Sequence, residues 1–179
     1  MLMSETIAPV RAAPRPMAID AASFRAAMRR FSAACTIVTT AANGDRAGFP
    51  ATAVCSLTAE PASLLVCINR STYAHGLIER AGALSVNVLA REHEQIARRF
   101  AGMVPGAAPE TRFEEGHWME GEIGMPVLAD AMAIFECEVR ETLLASTHSI
   151  FICEVVAVTI PEGSDEPLIY FDGRFASLS

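Results

Sequence analysis

Four polar residues, Asn69, Arg70, Ser71 and Thr72, follow directly on the apolar segment 64–68, where a helix is predicted to begin. An amide, a guanidinium and two hydroxyls at this position can bind a phosphate, because the first backbone N–H groups and the dipole of a helix also favour an anion. Ser71 or Thr72 can cap the helix. Simple capping beside a solvated arginine is the alternative, and the cluster alone does not exclude it.

A second candidate is the segment "GFPATAVCSLT", residues 48–58, in which small side chains crowd the beginning of a predicted strand. The small residues are Ala51, Thr52, Ala53, Cys55 and Ser56. Small side chains allow a flat ligand to approach the backbone, whose N–H groups can then bind it. A tightly packed strand pair would explain the same composition.

Two single residues complete the candidate groups. Asn87 lies between Val86 and Val88 in a predicted strand, so it faces the opposite side and is either an outward polar residue or one that needs a partner. His148 lies in "STHSIF", a small polar loop that opens a long strand. Lone histidines are usually structural or exposed, but a loop histidine beside a cofactor pocket can contact a second substrate.

The hydrophobic pattern predicts the elements that position these groups. A helix over 21–31 is capped by Asp20, further helices cover 72–81 and 91–102, and Gly102 ends the last one. Strands are predicted over 33–41, 48–58, 63–68, 84–90, 134–140, 149–160 and 168–171, with a turn at "NGD" and a long loop over 103–126. In the strand over 134–140, Glu136 and Glu138 are predicted to face outward. The elements do not alternate as βαβ units, which favours a mainly β fold, a closed and mostly antiparallel barrel with flanking helices.

Composition excludes several classes of function. The chain has 179 residues, a net charge of −7 and no lysine, so Schiff-base and P-loop lysine chemistry are excluded and a nucleic-acid or anionic-membrane partner is not expected. Its hydrophobic content of 51% suggests that part of the surface closes a subunit interface. One domain over 20–179 is expected after a flexible arm over 1–19, with no membrane span and a cytoplasmic location.

The cysteines and histidines do not suggest a metal site. The five cysteines are odd in number and have no CxxC spacing, and the four histidines lack the spacing of zinc ligands. Buried free thiols in a reducing compartment, and no protein-bound metal, are therefore expected.

Taken in order, these segments resemble the short-chain flavin reductase family, the reductase partners of two-component monooxygenases. The resemblance runs from about Phe24 to Phe175 and is carried by "FRAAMRRFSAACTIVTT", "RAGFPATAVCSLTAEPASLLVCINRST", "LSVNVLAREHEQIARRFAG", "FECEV", "THSIF" and "YFDGRF". The variants "AVCS" and "LLVCINR" look especially like the pyrimidine-utilisation flavin reductase branch. The whole chain is also similar to the cob(II)yrinic acid a,c-diamide reductases of cobalamin biosynthesis.

The resemblance implies a split, Greek-key β-barrel that forms a homodimer, with FMN or FAD near the dimer interface and NADH or NADPH as the electron donor. It implies that Asn69, Arg70, Ser71 and Thr72 lie near the phosphate end of the flavin. His148 would meet the nicotinamide as the catalytic-site residue, orienting the dinucleotide without transferring a proton.

The other residues that the resemblance implies at the flavin lie on four segments. They are Thr52, Ala53, Val54, Cys55 and Ser56 beside the ring, Asn87, Val88 and Leu89 near the tail of the ligand, Tyr170 and Phe171 over the ring, and His75, Arg98 and Phe100 on helices. For Arg98 and Phe100 a structural role is the alternative. Pro50 departs from the family pattern, which commonly has threonine there, and it removes one N–H and one hydroxyl.

Three functions remain open from the sequence. The first is an NAD(P)H-dependent flavin reductase whose reduced flavin passes to an acceptor such as a partner monooxygenase. The second is a corrinoid reductase in which bound flavin reduces cobalt(II) to cobalt(I). The third is a split barrel that binds flavin without catalysis.

Overall fold

The computed structural model describes residues 18–163 and 166–178, except for the side chain of Glu110. The predicted N-terminal arm, residues 1–19, therefore lies almost entirely outside the described residues. Among the described residues, no helix combines the length and the apolar composition needed to cross a membrane.

Most of the described chain is antiparallel β-structure. The strands are β1 (Ala33–Ala34), β2 (Thr36–Ala42), β3 (Asp45–Ala51), β4 (Val54–Ala59), β5 (Ala62–Asn69), β6 (Ala83–Val88), β7 (Trp118–Glu120), β8 (Pro126–Leu128), β9 (Ala133–Ala145), β10 (His148–Thr159), β11 (Leu168–Phe171) and β12 (Arg174–Ser177). The helices are α1 (Ala21–Met28), α2 (Tyr73–Ala81) and α3 (Glu94–Phe100), with short 3₁₀ helices at Arg91–His93 and Pro109–Glu114. The mainly β class and the antiparallel pairing are confirmed.

Seven strands form the main sheet in the order β3-β2-β6-β9-β10-β5-β4. Its two edge strands, β3 and β4, are consecutive in the chain and are joined only by Thr52 and Ala53. Two residues span at most about 7 Å, so the sheet must curl until its edges approach each other at this connection. Strand β1 instead pairs with β11, which pairs with β12 in a small three-stranded sheet beside the main one.

The concave side of the curled sheet is filled by apolar side chains of β2, β5, β6, β9 and β10, including Val66, Ile68 and Phe151. A second cluster forms where α3 packs against β3, and Phe100 is its more deeply buried phenylalanine. Gly48 of β3 is needed there, because a Cβ on it would lie 2.6 Å from the ring of Phe100. Phe100 also contacts Phe113 and Trp118, with ring centroids 5.1 Å and 5.3 Å apart.

The predicted caps and turns are confirmed. The Asp20 carboxylate accepts hydrogen bonds from the N–H groups of Ala22 and Ser23, both at 2.9 Å. Asn43 and Gly44 both have positive φ in the two-residue β2–β3 turn, as "NGD" predicts. Helix α3 ends before Gly102, whose φ is +71°.

Two predictions about elements are wrong. The strand predicted over 48–58 is two strands on opposite edges of the sheet, with the break at Thr52 and Ala53. The loop predicted over 103–126 contains a 3₁₀ helix and strand β7. Periodicity missed both because these pieces are short and depend on long-range pairing for their stability.

The prediction that Glu136 faces outward is also wrong. Glu136 is 3% exposed, and its carboxylate accepts hydrogen bonds from the N–H groups of Glu122 and Ile123. Paired backbone donors offset the desolvation of a buried carboxylate. Glu136 therefore holds the turn between β7 and β8 in place, although the alternating pattern of β9 predicts an exposed side chain there.

Asn87 is the most fully bonded polar side chain of the interior. It is completely buried, donates to the Ile37 carbonyl at 3.0 Å and to Thr39 Oγ1 at 3.2 Å, and accepts from the Leu128 N–H at 2.8 Å. These bonds tie β6 to β2 and to β8. Of the two alternatives for Asn87, an outward polar residue or one that needs a partner, the second is correct, and its partners belong to neighbouring strands.

We expect Asn87→Ala to lower the free energy of unfolding by about 2–4 kcal/mol, because it leaves the Leu128 N–H and the Ile37 carbonyl without a buried partner. Ser85→Ala is the matched control, since the buried Ser85 hydroxyl on the same strand has no hydrogen-bond partner among the described residues. The control should change stability by less than about 0.5 kcal/mol. Urea unfolding measures both, and equal losses would contradict the role of Asn87.

Candidate functional site

The polar cluster after β5 forms a turn that leads into α2. The Asn69 carboxamide oxygen accepts hydrogen bonds from the N–H and the hydroxyl of Ser71, at 3.0 Å and 2.9 Å. The Thr72 hydroxyl donates to the Asn69 carbonyl and accepts from the His75 N–H, which makes Thr72 the N-cap. The hydroxyls are therefore engaged within the turn and do not act as free donors.

The donors that remain for an anion are charged or belong to the backbone. No described carboxylate lies within ion-pair distance of the Arg70 guanidinium, and the Asn69 amide nitrogen has no acceptor among the described residues. The first backbone N–H groups of α2 point out of the same end of the helix. This donor set suits one phosphate group.

His148 lies directly beside this cluster. It pairs with Asn69 across β10 and β5, and the Arg70 N–H donates to the Thr147 carbonyl at 3.0 Å. The His148 ring is exposed, with Nδ1 2.9 Å from the Thr147 hydroxyl. The pairing brings the predicted nicotinamide residue and the predicted phosphate turn to one end of the sheet.

The side chains of Asn69 and His148 share the convex face of the sheet. Alternation along β5 and β10 places Val66, Ile68 and Phe151 in the interior and Cys67, Asn69, His148 and Ile150 on the outside. The same face carries Cys55 opposite Leu65, and Leu143 opposite Ile150. We call the group Cys55, Leu65, Cys67, Leu143, Ile150 and Ile152 the outer apolar face.

Strand β4 offers backbone groups along its free edge. The Cys67 N–H donates to the Ala53 carbonyl at 3.0 Å, so the backbone polar groups of Ala53 are directed toward β5. Because antiparallel pairs alternate, the N–H groups of Val54 and Ser56 are directed away from β5, toward the unpaired edge. These are the groups that the sequence predicted beside a flat ligand, and the cavity beside Thr52 and Ala53 has room for its ring.

That cavity has a volume of about 480 Å³ and lies between α1, the Thr52–Ala53 connection and the β11–β12 turn. Its lining includes three of the predicted site residues, Thr52, Ala53 and Tyr170. A volume of this size is within the usual range for small-molecule sites. A smaller groove of about 270 Å³ lies at the β2–β3 turn, beside β7, and none of the predicted site residues line it.

The structure also shows which lining residues the sequence did not identify. They include Arg25, Met28 and Arg29 of α1, Phe31, and Asp172 and Gly173 of the β11–β12 turn. The signal in the sequence was the arginine-rich, aromatic segment "FRAAMRRF", which resembles an ordinary amphipathic helix. No residue of α1 is buried, which that pattern did not indicate.

His75 does not face a ligand. It is 5% exposed, its Nε2 lies 2.8 Å from the Ser149 hydroxyl, and its Nδ1 lies 3.5 Å from Glu79. Its ring also packs edge-on against Phe151. In the described chain His75 is a structural link between α2 and the first residues of β10, and its contact with the flavin stays a prediction.

Two of the three residues of the predicted tail segment, Asn87 and Leu89, are likewise buried, and Val88 is half-buried. Asn87 and Leu89 have no exposed surface, and Val88 pairs with Thr36 on one side and Ala133 on the other. Strand β6 is separated from β5 by β9 and β10 in the sheet. The described contacts of Asn87 and Leu89 are therefore structural, and contact of this segment with the tail of a ligand stays a prediction.

Two helix residues and one strand residue also lie away from the cavity. Phe100 is 1% exposed in the core, and Arg98 pairs with Glu94 at 2.6 Å while stacking on Phe175, so the structural alternative holds for both. Phe171 is half-buried next to the β11–β12 turn and is not part of the cavity lining. Pro50 lies on the edge strand β3, where a missing N–H is tolerated.

Comparison with known proteins agrees with the fold and with the sequence resemblance. An FMN reductase (NADH) RutF of Ancylobacter novellus is 41% identical over 167 residues, which cover 93% of this chain and 90% of the relative. The solved structure of the flavin reductase PheA2 superposes with a TM-score of 0.81 at 30% identity, over 90% of this chain and 99% of that one.

A third similar protein is the solved BorF, the flavin reductase component of a bacterial two-component tryptophan halogenase. It superposes with a TM-score of 0.80 at 26% identity and covers 89% of this chain and 98% of that one. The family described as flavin reductase like domain matches residues 28–179, which include the whole of the candidate site except the first turns of α1. The chain belongs to the flavin reductase like family.

Proposed function

We propose that this protein is an NADH-dependent FMN reductase that transfers a hydride equivalent from nicotinamide to flavin. The observation that carries the proposal is the placement of three features at one end of the sheet. They are a turn that leaves Arg70 and backbone N–H groups for an anion, an exposed histidine paired with that turn, and a strand edge that begins beside a cavity of about 480 Å³. Similarity to relatives named FMN reductase (NADH) supports FMN and NADH as the ligands.

The phosphate of FMN would bind at Arg70, the Asn69 amide and the first N–H groups of α2. These are the donors that the local turn leaves without acceptors among the described residues. A phosphate dianion pairs well with a guanidinium and a helix N-terminus together. The Ser71 and Thr72 hydroxyls would hold the shape of the turn.

The flavin ring would lie along β4, on the small side chains Thr52 and Ala53. The N–H groups of Val54 and Ser56 would hydrogen-bond its polar edge, and Tyr170 would border the ring from β11. Flavin supplies the chemistry of hydride acceptance; the chain binds, orients and shields the rings. Holding two rings in contact can supply up to about 7–11 kcal/mol of barrier lowering.

His148 would orient the nicotinamide. Its exposed ring stands on the convex face beside Asn69, so it can contact a second planar ligand that lies over the first. Hydride transfer from nicotinamide to flavin needs no side-chain acid or base. The expected role is therefore binding and alignment.

The reduced flavin would leave and serve a separate oxygenase-type partner. Similarity to the reductase component of a two-component tryptophan halogenase supports this assignment of the acceptor. A cobalt corrinoid is the other electron acceptor that the sequence left open. No feature of the described residues favours it, and the first experiment below separates the two.

A second copy of the chain would cover the outer apolar face. Leu143 is 44% exposed, and Cys55, Leu65, Cys67, Ile150 and Ile152 are each at least partly exposed in one chain. A contiguous apolar patch on a hydrophobic chain is typical of a subunit interface. Because Asn69 and His148 border this face, a dimer would also enclose the flavin site.

The decisive test mixes purified protein with one equivalent of FMN and NADH without oxygen and follows the visible absorbance of oxidised flavin. Fast bleaching, with many turnovers when FMN is in excess, is expected because the product flavin dissociates. Absence of bleaching would mean that the barrel only binds flavin. If a cobalt(II) corrinoid is then reduced faster than by free reduced FMN, the corrinoid function replaces the proposed acceptor.

We expect His148→Ala to raise the KM for NADH about tenfold or more and to lower kcat by less than a factor of about three. Loss of an orienting contact weakens dinucleotide binding without removing a reacting group. Steady-state kinetics at saturating FMN measures both. A collapse of kcat with unchanged KM would contradict the role and assign His148 to the chemical step.

We expect analytical ultracentrifugation to give the native protein twice the mass of one chain, and the Leu143→Arg variant the mass of one chain. An arginine at the centre of an apolar interface leaves a desolvated charge without a partner. Met119→Arg is the matched control, because Met119 is similarly exposed, at 48%, but lies on β7 away from the face. Dissociation by both variants, or by neither, would contradict this interface.

A further inference from the structure

The cavity beside Thr52 and Ala53 has a second wall that the flavin assignment does not use. This wall consists of the α1 residues Arg25, Met28 and Arg29, together with Phe31 and the turn residues Asp172 and Gly173. We propose that this wall binds the pyrophosphate and adenosine portion of NADH, with Arg25 and Arg29 as the groups that contact the phosphates. The inference rests on the proposed function, because it assigns the second substrate of the same site.

The charge of the wall favours an anion. No described carboxylate lies within ion-pair distance of Arg25 or Arg29, although the whole chain carries a net charge of −7. Asp172 also lines the cavity, so the wall carries two positive charges and one negative charge. Two adjacent guanidiniums provide the forked donors that suit a pyrophosphate.

Arg29 is held in place by the β11–β12 turn. The Asp172 N–H donates to the Arg29 carbonyl at 3.0 Å, which ties the C-terminal end of α1 to the turn. Gly173 has a φ of +78°, and a Cβ placed on it would lie 3.4 Å from the guanidinium carbon of Arg29. The side chain therefore lies across the glycine backbone at the edge of the cavity.

The apolar part of the wall suits a flat base. Phe31 is 68% exposed and Met28 is 45% exposed, although both line a concave surface. Exposure of aromatic and thioether side chains to water is unfavourable. The same side chains around a cavity can stack favourably against adenine. Guanidiniums beside them add cation–π contacts to the same base.

The position of the wall selects the dinucleotide over the flavin. FMN has one phosphate, and the proposed function assigns it to the turn at Arg70. The Cys67 N–H donates to the Ala53 carbonyl, and β5 continues from Cys67 to that turn, whereas the cavity is lined by Thr52 and Ala53 and by no residue of the turn. NADH has two more phosphates and an adenosine, which must leave the ring stack in a direction that the flavin phosphate does not occupy.

The test compares two electron donors in the variant Arg25→Gln/Arg29→Gln. NADH carries the pyrophosphate and adenosine, whereas 1-benzyl-1,4-dihydronicotinamide carries neither. We expect kcat/KM for NADH to fall about 30- to 100-fold, the loss of one or two charge-assisted contacts, and kcat/KM for the benzyl donor to change less than about twofold. Arg25→Lys/Arg29→Lys should recover only part of the loss, because lysine restores the charge but not the forked donor.

Arg30→Gln is the matched control, because it removes the same charge one residue further along and Arg30 does not line the cavity. Arg30→Gln should leave kcat/KM unchanged both for NADH and for the benzyl donor. Unfolding of the variants is not expected, since α1 contains no buried residue. The contrasting variant is Arg70→Gln, which should weaken FMN binding about tenfold or more without changing the preference between the two donors.

A measurement that does not depend on turnover is calorimetric titration with ADP-ribose. Native protein should bind it, and Arg25→Gln/Arg29→Gln should bind it at least tenfold more weakly. Equal losses with both electron donors, a loss of FMN affinity, or unchanged ADP-ribose binding would overturn the assignment. If native protein reduced FMN with neither donor, the proposed function would fail, and the titration would still decide whether the wall binds the nucleotide.

Discussion

The two-residue connection at Thr52 and Ala53 is the constraint on which the site depends. It joins the two edge strands of a seven-stranded sheet, so those edges must approach each other wherever these residues lie. Two bonds fix the corner: the Thr36 hydroxyl donates to the Ala51 carbonyl at 2.8 Å, and the Cys67 N–H donates to the Ala53 carbonyl at 3.0 Å. Small residues are required where two edges and a cavity meet, since a bulky side chain would fill the space that a ligand needs.

The same corner explains why polar residues distant in sequence belong to one site. Strand β5 leaves the corner and ends at the Asn69 turn, and β10 begins opposite it at His148. The hydroxyls of that turn are consumed in shaping it, so its capacity to bind a ligand depends on Arg70 and on backbone N–H groups.

The sequence predicted the elements and the local chemistry better than the long-range geometry. The caps at Asp20 and Thr72 and the turn at Asn43 and Gly44 depend on neighbouring residues, and all were correct. The partners of Asn87 could not be read from the sequence, because an amide in a strand has the same local pattern whether its partner is a ligand or another strand. Arg25 and Arg29 were missed for the opposite reason, since only the position of the β11–β12 turn beside α1 makes an exposed helix the wall of a cavity.

The arginines of the described chain differ in whether they pair with a carboxylate. Arg91, Arg98, Arg99 and Arg140 pair with carboxylates at 2.6–3.1 Å, and such surface pairs contribute little to stability. Arg25 and Arg29, which line the cavity beside the Thr52–Ala53 corner, and Arg70, which follows β5, have no such partner among the described residues. The same holds for Arg30, Arg46, Arg80, Arg112 and Arg174, so it is their position that sets the cavity arginines apart. A chain with a net charge of −7 repels anionic nucleotides at long range, so unpaired guanidiniums are needed to make the local potential positive. The absence of lysine makes each of these charges a planar, forked donor, which suits phosphate better than a point charge does.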